Sequence, residues 1–145
     1  MKITIEQLKT VSPDTVLQIN NLLAQLDSDS SKLNEETIKE IIESPSNYFF
    51  VAREPEDHKI VGMLTLVIYS VPARKKSWIE DVVVDEKYRG KGIATKLVNC
   101  AIEKARNNAA ISLDLTSRPE RENASKLYLK LGFSKRKTNV YRIKL

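Results

Sequence analysis

Arg89-Gly90-Lys91-Gly92-Ile93-Ala94-Thr95 separates two stretches of different character, and the fold turns on it. Before it, Trp78 to Val84 ends in three consecutive valines and reads as a strand. After it, Ile93, Leu97, Val98, Ala101, Ile102 and Ala105 fall on one helical face. Glycines in a strand-to-helix turn let the backbone come close to a ligand, and the first helical turn carries N–H groups with no internal acceptor. Those donors and the positive end of the helix dipole make a seat for a phosphate or pyrophosphate. Arg89 and Lys91 add positive charge there. The same turn also serves simply to pack a helix on a sheet.

Downstream, Ile111, Leu113 and Leu115 alternate with Ser112, Asp114 and Thr116, a further strand. Strand, helix, strand in that order makes a right-handed crossover between parallel strands. Ser117-Arg118-Pro119-Glu120 carries a capping-box pattern and predicts a helix start. Ala124, Leu127, Tyr128 and Leu131 then repeat at helical spacing until Gly132 offers a left-handed stop. From Phe133 two short strands are expected, ending with Val140, Tyr141 and Ile143.

Upstream, Ile3 and Ile5 mark a short strand. Ser12-Pro13 predicts a helix start, followed by Val16, Leu17, Ile19, Leu22, Leu23 and Leu26 at helical spacing. Leu33 to Glu43 reads as a second helix with Asn34 as cap. Tyr48 to Ala52 and Lys59 to Ser70 read as strands joined by a polar turn. No repeat or linker divides the 145 residues, so one domain over 1–145 is expected.

Composition narrows the function. At 41% hydrophobic and 30% charged residues, the chain has a globular rather than a disordered balance. Its longest apolar run is too short to span a bilayer, and the first ten residues lack the apolar core of a secretory signal. A cytoplasmic home without membrane attachment is the expectation. One cysteine, Cys100, rules out an internal disulfide, and one histidine, His58, leaves no zinc cluster, so no metal is expected. Residues 1–71 hold 6 Lys/Arg and 11 Asp/Glu, a net −5. Residues 72–145 hold 18 and 8, a net +10, which points to an anionic ligand for the second half or to an uneven solvated surface.

Two nucleotide motifs fail against the turn. The P-loop pattern is absent, and a dinucleotide fingerprint needs glycine where Thr95 stands, although Asp114 lies at a suitable distance. Arg89-x-x-Gly92-x-Ala94 instead matches [QR]-x-x-G-x-[GA], the pyrophosphate-binding motif of the GNAT superfamily of N-acetyltransferases. The segment Ala124 to Phe133, A-S-K-L-Y-L-K-L-G-F, is similar to that family's second signature, A-x-x-L-Y-x-K-L-G-F. The order of elements also resembles the family over nearly the whole chain.

The resemblance implies a mixed α+β fold: a central, mostly antiparallel twisted sheet, one parallel strand pair splayed at the cofactor cleft, and helices on both faces. It implies acetyl-coenzyme A as co-substrate and direct transfer to an amine in a ternary complex. In similar enzymes the backbone of Val82, Val83 and Val84 would bond the pantetheine arm and polarise the thioester carbonyl. Backbone N–H groups of Arg89, Gly90, Lys91, Gly92, Ile93, Ala94 and Thr95 would hold the pyrophosphate.

From spacing alone Tyr128 reads first as a core tyrosine beside Ala124 and Leu131; the resemblance matches it instead to the tyrosine that protonates the departing thiolate in many relatives. Glu80 falls where several relatives carry an acidic residue near the acceptor amine. Glu80 and Asp81, adjacent in a strand, are expected on opposite faces, where they could instead bond loop backbone or basic side chains. Where relatives often have a cofactor-contacting asparagine this chain has Arg121, with Asn123 nearby. Cys100 reads as a buried, inert thiol.

The resemblance implies a small-molecule or peptide amine as acceptor, with no code in the sequence for which one, and a monomer or homodimer is the expectation. The alternative within the fold is a catalytically silent module that binds acyl-coenzyme A. A nucleic-acid-binding module centred on Lys135-Arg136-Lys137 lacks any recognisable motif, so no nucleic-acid partner is expected.

Overall fold

Ser12 and Asn34 begin the first two helices as their side chains predict. In the computed structural model, which describes residues 2–145, helix α1 spans Pro13–Leu26 and α2 spans Glu35–Glu43. The Ser12 hydroxyl accepts the Thr15 N–H at 3.3 Å, and the Asn34 carboxamide accepts that of Thr37 at 2.8 Å. Each cap satisfies one of the donors that a helix start leaves over.

Among the described residues five strands form one sheet in chain order: β1 (Thr4–Gln7), β2 (Asn47–Arg53), β3 (Ile60–Val71), β4 (Arg74–Val84) and β5 (Leu113–Asp114). All neighbours are antiparallel except β4 and β5, which are parallel. A long helix, α3 (Ile93–Asn107), makes the crossover between those two.

Alternation along the strands sends two sets of side chains to opposite faces. Phe49, Val51, Met63 and Val83 join Ile19 and Leu22 of α1 and Ile38 of α2 in a buried cluster. The other face receives α3. A methyl added at Gly62 would stand 3.2 Å from Leu97 and 3.3 Å from Ile93, so this glycine lets the helix lie close on the sheet. Ile93, Leu97, Val98, Ala101 and Ala105 are buried there, as their spacing predicts, with Ile102 half-buried.

The chain falls into two compact units, residues 1–115 and 116–145. The first holds the sheet and α1–α3. The second holds α4 (Glu122–Lys130) and the C-terminal segment.

Three expectations need correction. The capping box at Ser117 starts no helix; α4 begins at Glu122 with Arg121 as its cap. Pro119 disfavours helical backbone at Arg118, and the chain instead turns with the Arg121 N–H on the Arg118 carbonyl at 3.0 Å. The strand expected over 111–116 pairs only at Leu113–Asp114. The two strands expected after Phe133 do not form. Val140, Tyr141 and Ile143 are 73%, 87% and 82% exposed, because alternation makes no strand without a partner for its backbone. Among the described residues no helix is long and apolar enough to cross a membrane.

Candidate active site

The parallel pairing of β4 with β5 covers Ser77↔Leu113 and Trp78↔Asp114 and then stops. The Ser77 hydroxyl, on a fully buried residue, donates to the Ser112 carbonyl at 2.6 Å and fastens the start of this short pairing. Beyond it, Ile79 to Val84 pair with β3 alone. Here the strands part.

A bulge sits in that single-sided stretch. Thr65 faces Glu80 and Met63 faces Val83, so Leu64 stands against both Asp81 and Val82. Asp81 takes the left-handed conformation, φ 52°, one that aspartate tolerates better than most residues. The Asp85 N–H donates to the Val61 carbonyl at 2.8 Å, which sets the alternation after the bulge. Val83 is therefore turned toward β3, while Val82 and Val84 present backbone groups to the opened side. The Val84 carbonyl accepts Arg89 Nε at 3.0 Å, leaving the Val84 N–H on that side.

Asp85 then closes the strand. It is buried, and its carboxylate accepts the Lys87 N–H at 3.0 Å and faces Asn21 Nδ2 at 3.5 Å. A 3-10 turn, Glu86–Tyr88, leads into the glycines. Asp85 was not singled out from sequence; its signal is an aspartate ending an apolar run, where a side chain can accept the N–H two residues on.

Gly90 and Gly92 both have positive φ, 76° and 79°, and Gly92 caps α3. A Cβ at either would meet nothing within 4 Å among the described residues, so the backbone of the turn is open on that side. Ile93, Ala94 and Thr95 start the helix without intrahelical acceptors for their N–H groups, and no side chain caps them. The Lys91 ammonium lies 5.4 Å from the centre of the Tyr88 ring. Helix start, glycines and cations together have the character of turns that suit an anion.

Glu80 and Asp81 are both exposed. Partial burial, then the neighbouring Asp81 charge, pushes the Glu80 carboxyl above its ordinary range. The bulge breaks the strict alternation on which their placement on opposite faces was expected. Cys100 is half-buried on α3, and burial raises its thiol pKa, which disfavours the nucleophilic thiolate.

In the second unit, Tyr128 is half-buried, its ring edge-on to Phe133 at 5.8 Å. Its hydroxyl makes no hydrogen bond among the described residues, whereas a purely structural tyrosine would be expected to satisfy it. Burial raises its pKa and the Arg121 charge works against that rise. Gly132, at φ 103°, ends α4, and the Phe133 N–H closes back on the Tyr128 carbonyl at 3.0 Å. Arg121 and Asn123 are exposed at the start of that helix. Thus Glu80, Val82, Val84 and the 89–95 turn lie on one continuous stretch of the first unit, and Arg121, Asn123 and Tyr128 belong to the second.

Residues 17–133 match the Acetyltransferase (GNAT) family model. An uncharacterized N-acetyltransferase of Bacillus subtilis, YobR, is 39% identical over 66 residues, covering 46% of this chain. That match spans only 27% of the Bacillus protein. The thialysine N-epsilon-acetyltransferase of Bos taurus is 28% identical over 141 residues, 90% of this chain and 83% of its own. Among solved structures, an acetyltransferase of Trypanosoma brucei superposes with a TM-score of 0.82 at 26% identity, covering 99% of this chain and all of that one.

Proposed function

The chain belongs to the acetyltransferase (GNAT) family, and from that premise we propose that it transfers the acetyl group of acetyl-coenzyme A directly to a primary amine, with both substrates bound together. The observation that carries this reading is the course of β4: it leaves its parallel partner at Trp78 and runs single-sided into a left-handed glycine turn at a helix start. The residues suit coenzyme A. Empty space before Gly90 and Gly92 accommodates a pyrophosphate, and the free N–H groups of the first α3 turn face it. The Val82 and Val84 backbone is available to the pantetheine amides and the thioester carbonyl.

In this reaction the amine nitrogen bonds to the thioester carbonyl carbon, the carbon–sulfur bond breaks, and the thiolate leaves. The Val84 N–H stabilises negative charge developing on the carbonyl oxygen. Glu80 takes the ammonium proton, directly or through one water, and the upward shift of its pKa makes it a stronger base than an ordinary glutamate. Tyr128, whose hydroxyl is uncommitted and stays protonated, supplies the thiolate proton. Arg121 and Asn123 assist in holding the cofactor. The bovine relative is named for a side-chain amine acceptor, and a small primary amine is the class proposed here.

Thiol release from acetyl-coenzyme A, followed against a panel of polyamines, amino acids, amino sugars, aminoglycosides and peptides, tests the reading. Amine-dependent release, together with a melting temperature raised by acetyl-coenzyme A, is expected. Cofactor at ~100 times its dissociation constant adds about 2.7 kcal/mol. An unchanged melting temperature and no binding heat overturn it.

A further inference from the structure

Along β4, away from Glu80, a strip of side chains extends the sheet face covered by α1 and α2. Glu80, Trp78, Lys76 and Arg74 alternate onto this face, opposite Thr65, Val67, Tyr69 and Val71 of β3. Met63 lies in the closed core, but Thr65, Val67 and Tyr69 are only half-buried, so the cover of the first two helices ends between them. Trp78 Nε1 donates to the Tyr69 hydroxyl at 3.0 Å and fixes the indole in place. A carboxylate thus stands at one end of an aromatic floor and two cations at the other. Neither Lys76 nor Arg74 forms an ion pair among the described residues.

We propose that this strip binds the acceptor and selects a primary amine carried on a short apolar chain that ends in an anion such as a carboxylate. The inference rests on the acetyl transfer proposed above and assigns its substrate class. Glu80 fixes the amine end beside the opened edge of β4. The chain lies over Trp78 and Val67, where apolar contact and the aromatic face both favour an alkylammonium. The anion reaches Lys76, and Arg74 behind it. Glu80 and Lys76 are four steps apart along the strand, about 13 Å between Cα atoms, a span that a five- or six-atom chain covers together with a polar contact at each end. A diamine would bring its second ammonium against two cations. Charge sets the preference at the far end.

The test uses the full chain, acetyl-coenzyme A and three probes of equal length: 6-aminohexanoate, 1,6-diaminohexane and hexylamine. The kcat/KM for 6-aminohexanoate should exceed that for 1,6-diaminohexane by about fivefold or more, the effect of a half-exposed ion pair. Lys76→Glu should invert this ratio, and Lys76→Gln should bring it toward one, with melting and acetyl-coenzyme A binding near wild type. If Lys76→Glu does not fold, Lys76→Gln decides. An equal ratio in the wild type, or a ratio unmoved by the folded variants, overturns the proposal. Acetyl-coenzyme A binding with none of the three probes acetylated overturns it too, leaving acetyl transfer to another acceptor. Absence of cofactor binding overturns the underlying reading and this inference with it.

Discussion

Arg89 Nε donates to the Val84 carbonyl at 3.0 Å, and this bond ties the first residue of the glycine turn to the last residue of β4. The proposed seats for the pyrophosphate and the thioester are thereby held in fixed relation. Removing the side chain with Arg89→Ala should lower acetyl-coenzyme A affinity about threefold to tenfold, measured by calorimetry. The loss of stability should be small, about 1 kcal/mol. Arg89→Lys restores charge without the planar Nε donor and should leave affinity low. Wild-type affinity in Arg89→Ala would show that the tether is dispensable.

Gly92→Val tests the turn itself. At φ 79° a branched side chain is strained, at a cost of about 1–3 kcal/mol, yet its Cβ would meet no protein atom within 4 Å among the described residues. The fold should therefore survive with a lowered melting temperature. Its Cβ enters the space assigned to the pyrophosphate, and affinity should fall more than tenfold. Equal affinity would place the phosphates elsewhere.

Glu80→Gln separates the base from the scaffold. A carboxyl whose pKa is raised by burial and by Asp81 favours its protonated form in the folded protein. Its stabilising contribution is present below the unfolded pKa and is lost as pH rises through the folded one. At neutral pH the amide should thus melt no lower than wild type, while amine acetylation falls about 100-fold. In the wild type, kcat/KM should rise with pH through an apparent pKa above the usual glutamate range. A profile unchanged in Glu80→Gln would assign that limb to another group.

Tyr128→Phe distinguishes an acid from a packing residue. The ring keeps its edge-on contact with Phe133, and no hydrogen bond of the hydroxyl is lost. Turnover should fall about 100-fold, less if water substitutes, with melting and cofactor affinity near wild type. A melting decrease matching about 1 kcal/mol with intact turnover would make the hydroxyl structural.

Local chemistry was the legible part of the fold. Ser12 and Asn34 cap the helices they were expected to cap, and Gly92 and Gly132 take the positive φ their places demand. The family motif falls at the start of α3, and the heptad-like spacing from Ile93 to Ala105 marks its buried face. The bulge was not legible, because no glycine marks it: Asp81 carries the positive φ, and two opposing strands must be in register before an extra residue exists. Val82, Val83 and Val84 look alike in sequence, and only that register divides them. The capping box at Ser117 yielded to Pro119, a conflict of two local rules that the sequence stated together. Tyr141-Arg142-Ile143 has the alternation of a strand, but pairing is a property of a partner.

Any strand bonded on one side only is a template on which a second sheet can grow, and β4 from Ile79 to Val84 is such a strand. The extra residue at Asp81 bends this row out of the flat geometry that addition needs. The adjacent carboxylates of Glu80 and Asp81 charge the approach. The bulge that shapes the opened side of β4 therefore also protects the molecule from edge-to-edge aggregation. Deleting Asp81 to restore regular pairing would flatten the strand and lay it open to assembly.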